Sequence, residues 1–472
     1  MRAGRGRKAA CGALHFRGAG SPPRCALGRA SATRPFMRPT LRTAAALRAG
    51  LATALASAAL TSAALTAAGA QPVRKALPNG ITPPSAPPVA DSGVVPGVEV
   101  LLRDSLHLLR GKRVGLITNP TGRDRQGRST ADLLFHTPGV RLTALFGPEH
   151  GIRGAAKAGE HVASSVDSAT GVPVYSLYGA TRTPTRAMLQ DVDVLVYDVQ
   201  DVGARVYTYP WTMALAADSA GLPFVVLDRP DPVRADRVDG GVLDPRFASG
   251  VGQYPVAMRY GLTPGELLRY LAGTGRVRVP RLTVVPMRGY ARSMWYADTR
   301  LPRLNPSPNL RDADAELLYT GTVFFEGTNL SEGRGTDAPF TRVGASWLTD
   351  AGALAAALNA RALPGVRFDT ATRTIAAGEK FGGQTIPMLR VTVTDRDRVE
   401  PAAVGLWMLR AVYAAHPREF AWRADFADKL AGGDRMRRAV EAGDDAVRAL
   451  LAAYGEESRR FAAGARAYQL YR

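Results

Sequence analysis

Short apolar runs alternate with helix signals along the chain, and this alternation constrains the fold more than any other feature. Five such runs lie at 113–118, 141–146, 172–178, 192–199 and 223–227. They are apolar along most of their length, as expected for strands that are buried on both faces of a sheet. Strands that alternate with helices form mostly parallel sheets covered by those helices. The sequence therefore predicts an α/β fold with a mostly parallel sheet.

Capping residues mark the helices between these runs. Ser129 is expected to cap a helix that ends near His136. Thr183 and Pro184 predict the start of a short helix, because proline favours the first helical turn. Thr263 predicts another helix start, since it precedes Pro264 in the same way.

Polar side chains follow four of the strands at the point where each strand ends. They are Asn119; Glu149 and His150; Asp198 and Asp201; and Asp228, Arg229 and Asp231. In open α/β sheets, ligands bind beyond the carboxyl ends of the strands. The sequence therefore predicts a binding or catalytic site at this edge of the sheet.

The loop at 145–154 carries the strongest of these signals. Glycoside hydrolysis needs a carboxyl group that protonates the leaving oxygen, and usually a second one that acts as base or nucleophile. Glu149 suits the first role, and His150 could bind substrate or orient Glu149. The alternative is that both residues only cap the start of a helix.

Asp198 and Asp201 form a second candidate pair. They could bind a divalent cation or act as acid and base. In the alternative interpretation, one aspartate caps the following helix and the other pairs with Arg205.

A glycine-rich stretch at 326–337 is the third candidate. It contains Glu326 and offers amide, hydroxyl and guanidinium groups on Asn329, Ser331, Arg334 and Thr336. Such groups bind sugars and carboxylates. The alternative is a structural turn.

The sequence lacks the signature motifs of several enzyme classes. The sequence has no G-x-x-x-x-G-K-[ST], no G-x-G-x-x-G after a strand and no G-x-S-x-G. Its histidines do not show H-x-x-x-H spacing, so a zinc site is not expected. We therefore expect neither a metal nor another cofactor.

The net charge of +20 is concentrated at the N-terminus. Residues 1–75 contain 13 of the 61 Lys and Arg residues and no acidic residue. Because no long basic block follows, nucleic-acid binding is not expected.

Residues 37–70 have the parts of a signal peptide: a basic segment, an uncharged run at 51–68 and an A-x-A site at 68–70. We expect export to the periplasm or the exterior, with no stable membrane span after cleavage, although such a run could also be an anchor. Residues 1–36 are interpreted as an upstream extension, with translation starting at Met1 or Met37. Both cysteines, Cys11 and Cys25, lie there, so the mature chain would have no disulfide.

The remaining chain divides into three predicted parts. Residues 71–97 are a proline-rich linker. Residues 98–338 form the sheet domain, and a change of pattern near 339 predicts a smaller domain at 339–472.

Six ordered motifs, at 118–122, 146–151, 197–205, 227–230, 305–309 and 326–336, resemble those of the exo-β-N-acetylmuramidases, glycoside hydrolase family 171. The likeness extends from about residue 98 to the end, where 426–432 and 468–471 also match. It implies a Rossmann-like catalytic domain, a smaller α+β C-terminal domain and a site in the cleft between them.

The resemblance also implies the reaction, which is release of N-acetylmuramic acid from the non-reducing ends of peptidoglycan fragments. It makes Glu149 the favoured catalytic residue, with Glu326 or Asp198 as the second group and Arg334 or Arg205 as the partner of the lactyl carboxylate. The candidates for substrate binding are Asn119, His150, Asp201, Arg205, Asp228, Arg229, Asn329, Ser331, Arg334 and Thr336. Two alternatives stay open: a non-catalytic peptidoglycan-binding protein, and a metal-dependent hydrolase using Asp198, Asp201 and Asp228.

Overall fold

A seven-stranded sheet organises the computed structural model, which describes residues 93–149, 151–153, 165–179 and 181–472. The strands, in chain order, are β1 (Arg113–Thr118), β2 (Arg141–Gly147), β3 (Ser165–Val166), β4 (Pro173–Ser176), β5 (Val194–Asp198), β6 (Phe224–Leu227), β7 (Asp239–Val242), β8 (Ala257–Arg259), β9 (Leu282–Val285), β10 (Arg342–Gly344), β11 (Val366–Thr374) and β12 (Thr385–Val393). The main sheet has the order β3-β4-β2-β1-β5-β6-β9. Its neighbours pair in parallel except β3 with β4. The predicted mostly parallel sheet is confirmed.

Helices cover this sheet and build much of the second half of the chain. They are α1 (Gly97–Val100), α2 (Thr130–His136), α3 (Tyr209–Ser219), α4 (Pro264–Gly273), α5 (Ala313–Thr322), α6 (Ala351–Ala360), α7 (Pro401–Ala415), α8 (Ala424–Ala431), α9 (Arg435–Ala442) and α10 (Asp444–Ala465). None of the helices in the described residues is long and apolar enough to cross a membrane.

The two faces of the sheet belong to separate cores. Within β1, Leu116 packs into a cluster with Leu145 and Val196, whereas Ile117 packs into a larger cluster with Phe146. Successive residues of a strand point to opposite faces, so both faces of β1 are buried. This explains why the strands are nearly continuous apolar runs.

Two of the three predicted helix starts are confirmed; the start predicted at Thr183 and Pro184 is wrong, because residues 186–191 form turns. The Ser129 hydroxyl accepts a hydrogen bond from the Ala131 amide at the start of α2. Thr263 and Glu266 form a capping box that begins α4.

The C-terminal part has its own antiparallel sheet of order β10-β12-β11. Strand β12 lies between its two neighbours, and α6 and α7 are among the helices that pack in this region. The chain then returns to the main sheet, where the Tyr471 hydroxyl donates to the Asp228 carboxylate at 2.6 Å. A smaller α+β region follows the main sheet, as predicted.

Ordered structure begins before the predicted boundary at Val98. Val94 is buried, and Val95 pairs with Arg288. The predicted extension at 1–36 and signal peptide at 37–70 lie outside the described residues. The proposed division at 338/339 stays a prediction.

Candidate active site

A cavity of about 150 Å³ lies at the carboxyl ends of β2 and β4. Glu149 and Tyr178 each follow their strand by two residues and line this cavity. Its other polar lining residues come from three distant segments; they are Thr208, Ser307, Glu326 and Arg334. Tyr207, Tyr319 and Phe340 add aromatic walls. The Glu149 loop and the glycine-rich 326–337 loop therefore meet at one site.

Two hydroxyl groups hold the Glu149 carboxylate. Thr208 Oγ1 donates to Glu149 Oε2 at 2.8 Å. Burial raises the pKa of Tyr178 to about 12, and the adjacent Glu149 carboxylate, to which Tyr178 hydrogen-bonds, adds to this shift. Tyr178 therefore stays protonated and donates to Glu149 at neutral pH.

Two tyrosines connect the Glu149 backbone to Pro306, and Tyr209 is the one that contacts Glu149 itself. The Tyr209 hydroxyl lies 3.4 Å from the Glu149 carbonyl oxygen and 3.1 Å from the Pro306 carbonyl oxygen. Tyr207 donates to the same Pro306 oxygen at 2.7 Å. These bonds connect the Glu149 loop to the predicted 305–309 motif.

Glu326 is the other carboxyl group among the described lining residues. Arg334 Nη2 donates to Glu326 Oε1 at 2.6 Å, and Arg334 Nε lies 3.1 Å from Glu332 Oε1. Burial raises the pKa of Glu326, although Arg334 opposes the shift. The two carboxyl groups of the cavity thus have different environments: hydroxyls for Glu149 and a guanidinium for Glu326.

Lys380 holds the 326–337 loop in place. Its ammonium lies 3.1 Å from Glu332 Oε2 and donates to the Leu330 carbonyl at 2.9 Å and to the Thr328 carbonyl at 3.2 Å. The Arg334 guanidinium also lies over the Phe340 ring, 5.1 Å from its centroid. The Arg334 side chain is therefore fixed on several sides.

Asp198, predicted as a possible second catalytic group, is not among the residues that line the cavity. Its side chain is fully buried and forms an ion pair with Arg229. Its second oxygen also accepts a hydrogen bond from Thr130. Because these partners occupy the carboxylate, Asp198 and Arg229 form part of the scaffold beneath the site.

Three other candidates also lie in buried networks outside the cavity lining. Arg205 is fully buried and donates to the carbonyl oxygens of Gly241 and Leu430 at 2.9 and 2.8 Å. Asp228 accepts from Thr263 Oγ1 and from Tyr471. Asp201 is buried near Tyr319 and Tyr209, behind the cavity wall. The prediction that they contact substrate is not supported by this placement.

Four polar candidates shape loops instead of lining the cavity. Asn119 Oδ1 accepts from the Thr121 amide at 2.9 Å, and Asn329 bonds to the backbone of Ala421 and Glu419. Ser331 accepts from the Gly333 amide, and Thr336 donates to the Gly333 carbonyl. His150 lies outside the described residues.

The carboxylates that the metal-dependent alternative would use bond to separate partners and do not form a common metal site. Asp198 pairs with Arg229, whereas Asp228 accepts from Thr263 and Tyr471. Within the described ranges, no group of three or more His, Cys, Asp and Glu side chains could hold a metal ion.

Sequence reasoning missed Thr208 and Lys380, and it considered Tyr178 only as an aromatic surface for a sugar, not as a hydrogen-bond donor to Glu149. Tyr178 had a usable signal, because β4 lies beside β2 and Tyr178 follows its end. Thr208 had a weaker sequence signal, which is its position just before α3. Lys380 is distant in sequence from the loop that it holds, so no local pattern indicates it.

Two family models match the chain. "Exo-beta-N-acetylmuramidase NamZ, N-terminal" matches residues 114–314, and the corresponding C-terminal model matches residues 317–471. The chain is 42% identical over 379 residues to the peptidoglycan beta-N-acetylmuramidase NamZ of Bacillus subtilis (strain 168), covering 79% of this chain and 91% of that protein.

Two crystal structures of DUF1343 family proteins from Bacteroides fragilis NCTC 9343 have the same fold. The first has a TM-score of 0.74 at 34% identity and covers 81% of this chain and 100% of its own. The second has a TM-score of 0.65 at 29% identity and covers 80% and 99%.

Proposed function

The chain belongs to the NamZ family of exo-β-N-acetylmuramidases, and we infer that it removes N-acetylmuramic acid from the non-reducing ends of peptidoglycan fragments. This is the function that its sequence motifs predict. The relative from Bacillus subtilis carries the same activity in its name.

One observation carries the assignment of the site: Glu149 and Glu326 line the same small cavity in different environments. A glycosidase of the usual type needs two carboxyl groups at the bond that it cleaves. We propose that Glu149 protonates the glycosidic oxygen and that Glu326 is the second group. Thr208 and Tyr178 would orient the Glu149 carboxyl for this transfer.

Arg334 is our candidate for binding the lactyl carboxylate of muramic acid. A guanidinium has five N–H donors, so its contacts with Glu326 and Glu332 leave donors for a further carboxylate. Arg205 is set aside because its guanidinium is buried against backbone carbonyls elsewhere.

The signal-peptide pattern at 37–70 supports export, which would bring the enzyme to its substrate in the cell envelope. We propose the periplasm or the exterior as its location. Detection of the mature N-terminus near Gln71 in exported protein would test this.

Glu149→Gln is the decisive substitution. We expect it to slow release of N-acetylmuramic acid from the natural disaccharide MurNAc-GlcNAc by roughly 10²–10⁴-fold, the usual contribution of a general acid. The loss should be smaller with a 4-nitrophenyl leaving group, because nitrophenolate needs little protonation.

Glu456→Gln is the matched control, since Glu456 is half exposed on α10. It should leave both rates unchanged. Full activity of Glu149→Gln on the disaccharide would remove Glu149 from the mechanism. Equal losses on both substrates would instead make Glu149 a nucleophile or base.

A further inference from the structure

A second cavity, of about 500 Å³, adjoins the candidate active site. Tyr178, Thr208 and Val251 line both cavities, so the two meet along these residues. We call the second one the lateral groove; its own lining includes Arg182, Trp211, Ser249, Phe426 and Lys429. Two of the shared residues, Tyr178 and Thr208, are those that hold Glu149.

The lateral groove is cationic as well as apolar. Arg182 and Lys429 are its charged lining residues, and no acidic residue of the described chain lines it. Arg182 lies close enough to influence the Tyr178 hydroxyl electrostatically. Lys429 pairs at 2.6 Å with Asp425, a highly exposed neighbour on the same helix, and such surface pairs are weak.

Uncharged hydrogen-bonding groups and flat apolar surfaces complete the groove. Phe426 supplies partly exposed aromatic surface to the groove, whereas the lining residue Trp211 is almost fully buried. The buried hydroxyl oxygen of Ser249 has no hydrogen-bond partner among the described residues. Apolar walls with a few polar groups are typical of a ligand site.

The occupant follows from the proposed function. An exo-acting enzyme holds the terminal sugar in its catalytic cavity, so the rest of the glycan occupies a neighbouring space. In peptidoglycan the next sugar is the neutral N-acetylglucosamine, and the one after it is again a muramic acid, whose lactyl carboxylate is free once its peptide stem has been removed. A groove with one partly exposed aromatic ring, two cations and no acid among its described lining residues complements that segment.

We propose that the lateral groove binds the leaving part of the glycan and that Arg182 and Lys429 recognise the carboxylate of the next muramyl residue. This inference rests on the proposed function. Arg182 and Lys429 would then favour longer substrates. In the disaccharide MurNAc-GlcNAc, the sugar that enters the groove is the neutral N-acetylglucosamine, which has no carboxylate for them to bind.

Binding of two disaccharides to the full chain tests the groove without requiring turnover. GlcNAc-MurNAc carries the lactyl carboxylate, and GlcNAc-GlcNAc is its counterpart without one. By calorimetry we expect GlcNAc-MurNAc to bind about tenfold more tightly at low salt, and the advantage to shrink at high salt.

The double variant Arg182→Ala, Lys429→Ala should abolish that preference, whereas Arg182→Lys, Lys429→Arg should keep it. Arg438→Ala is the control, since Arg438 is an exposed cation on α9. Equal affinities in the unsubstituted protein, or a preference that survives the double alanine variant, would overturn the proposal.

Hydrolysis is measured separately. Failure to cleave MurNAc-GlcNAc would contradict the proposed function, whereas loss of the carboxylate preference alone would contradict the groove.

Discussion

In the proposed function, recognition of muramic acid depends on Arg334. It lies in the cavity between Glu326 and Glu332 and over the Phe340 ring, so its orientation is fixed before substrate binds. A planar, fixed guanidinium suits bidentate binding of a carboxylate, which a flexible ammonium cannot reproduce.

Arg334→Lys should therefore reduce the preference for 4-nitrophenyl MurNAc over 4-nitrophenyl GlcNAc. These substrates differ only in the lactyl group, so a loss shared by both would not change the ratio. We expect the ratio of kcat/KM values to fall about tenfold, which corresponds to about 1.4 kcal/mol. Arg303→Lys, which alters an ion pair with Glu316 outside the cavity, should not change it. An unchanged ratio in Arg334→Lys would show that Arg334 does not bind the lactyl carboxylate.

The residue types at the strand ends were predictable, but their partners were not. Glu149, Glu326 and Arg334 line the cavity, whereas Asp198 lies in an ion pair with Arg229. All four have the polarity of a site residue in the sequence. The difference is set by which distant side chain faces each of them, and a single sequence does not contain that information.

At the scale of elements, the strands and capped helices followed from local patterns. The helix expected from Thr183 and Pro184 is the exception, because residues 186–191 form only turns. The Leu189 amide bonds back to Thr185, but β5 begins at Val194. The same amide is shared with the Arg186 carbonyl, and the Val192 amide bonds to the Leu189 carbonyl three residues earlier, so the segment is a succession of turns.

The C-terminal tail is an element whose role the sequence did not indicate. Leu470 and Tyr471 reach buried carboxylates of the main sheet region: the Leu470 amide donates to Glu266 at 2.7 Å, and Tyr471 donates to Asp228. Burial raises the pKa of Asp228 to about 7, and the hydrogen bond from Tyr471 opposes this rise. The tail therefore helps to satisfy acids that the fold has removed from water.

Tyr471→Phe should destabilise the protein by about 1 kcal/mol, the usual net contribution of one hydrogen bond, because Asp228 keeps its bonds from Thr263 and Gly265. Urea unfolding of the purified chain measures this. Tyr468→Phe is the matched control. The Tyr468 ring contacts the Tyr270 ring edge-on, and a phenylalanine keeps this ring contact while also losing a hydroxyl. Equal unfolding midpoints for Tyr471→Phe and the unsubstituted chain would show that the tail bond contributes nothing.

For the whole molecule, the cavity depends on both regions that the family models recognise. Glu149, Tyr178 and Thr208 come from the first region, and Glu326, Arg334 and Phe340 come from the second. A parallel sheet could be predicted from the first region alone. The site could not, because it is completed by a loop that Lys380 holds in place from a still later segment.

Buried acids also give the molecule a distinctive pH dependence. Burial raises the pKa of Asp201 to about 8, of Asp228 and Glu316 to about 7, and of Asp231 to about 6. Each value lies above the unfolded one, so the folded state binds more protons between about pH 4 and the folded pKa. The stability contributed by these groups is present at acid pH and is lost as the pH rises through 6–8.

Asp201→Asn should remove the contribution of Asp201 to the fall in unfolding free energy with pH, which extends to a higher pH than that of the other three acids. One such group lowers the free energy of unfolding by up to about 1.4 kcal/mol per pH unit between its unfolded and folded pKa values. The variant should therefore lose less stability than the unsubstituted chain between pH 5 and pH 8 in urea unfolding. Asp191→Asn, at an exposed position, should leave the slope unchanged. Equal slopes for Asp201→Asn and the unsubstituted chain would show that folding does not raise the pKa of Asp201.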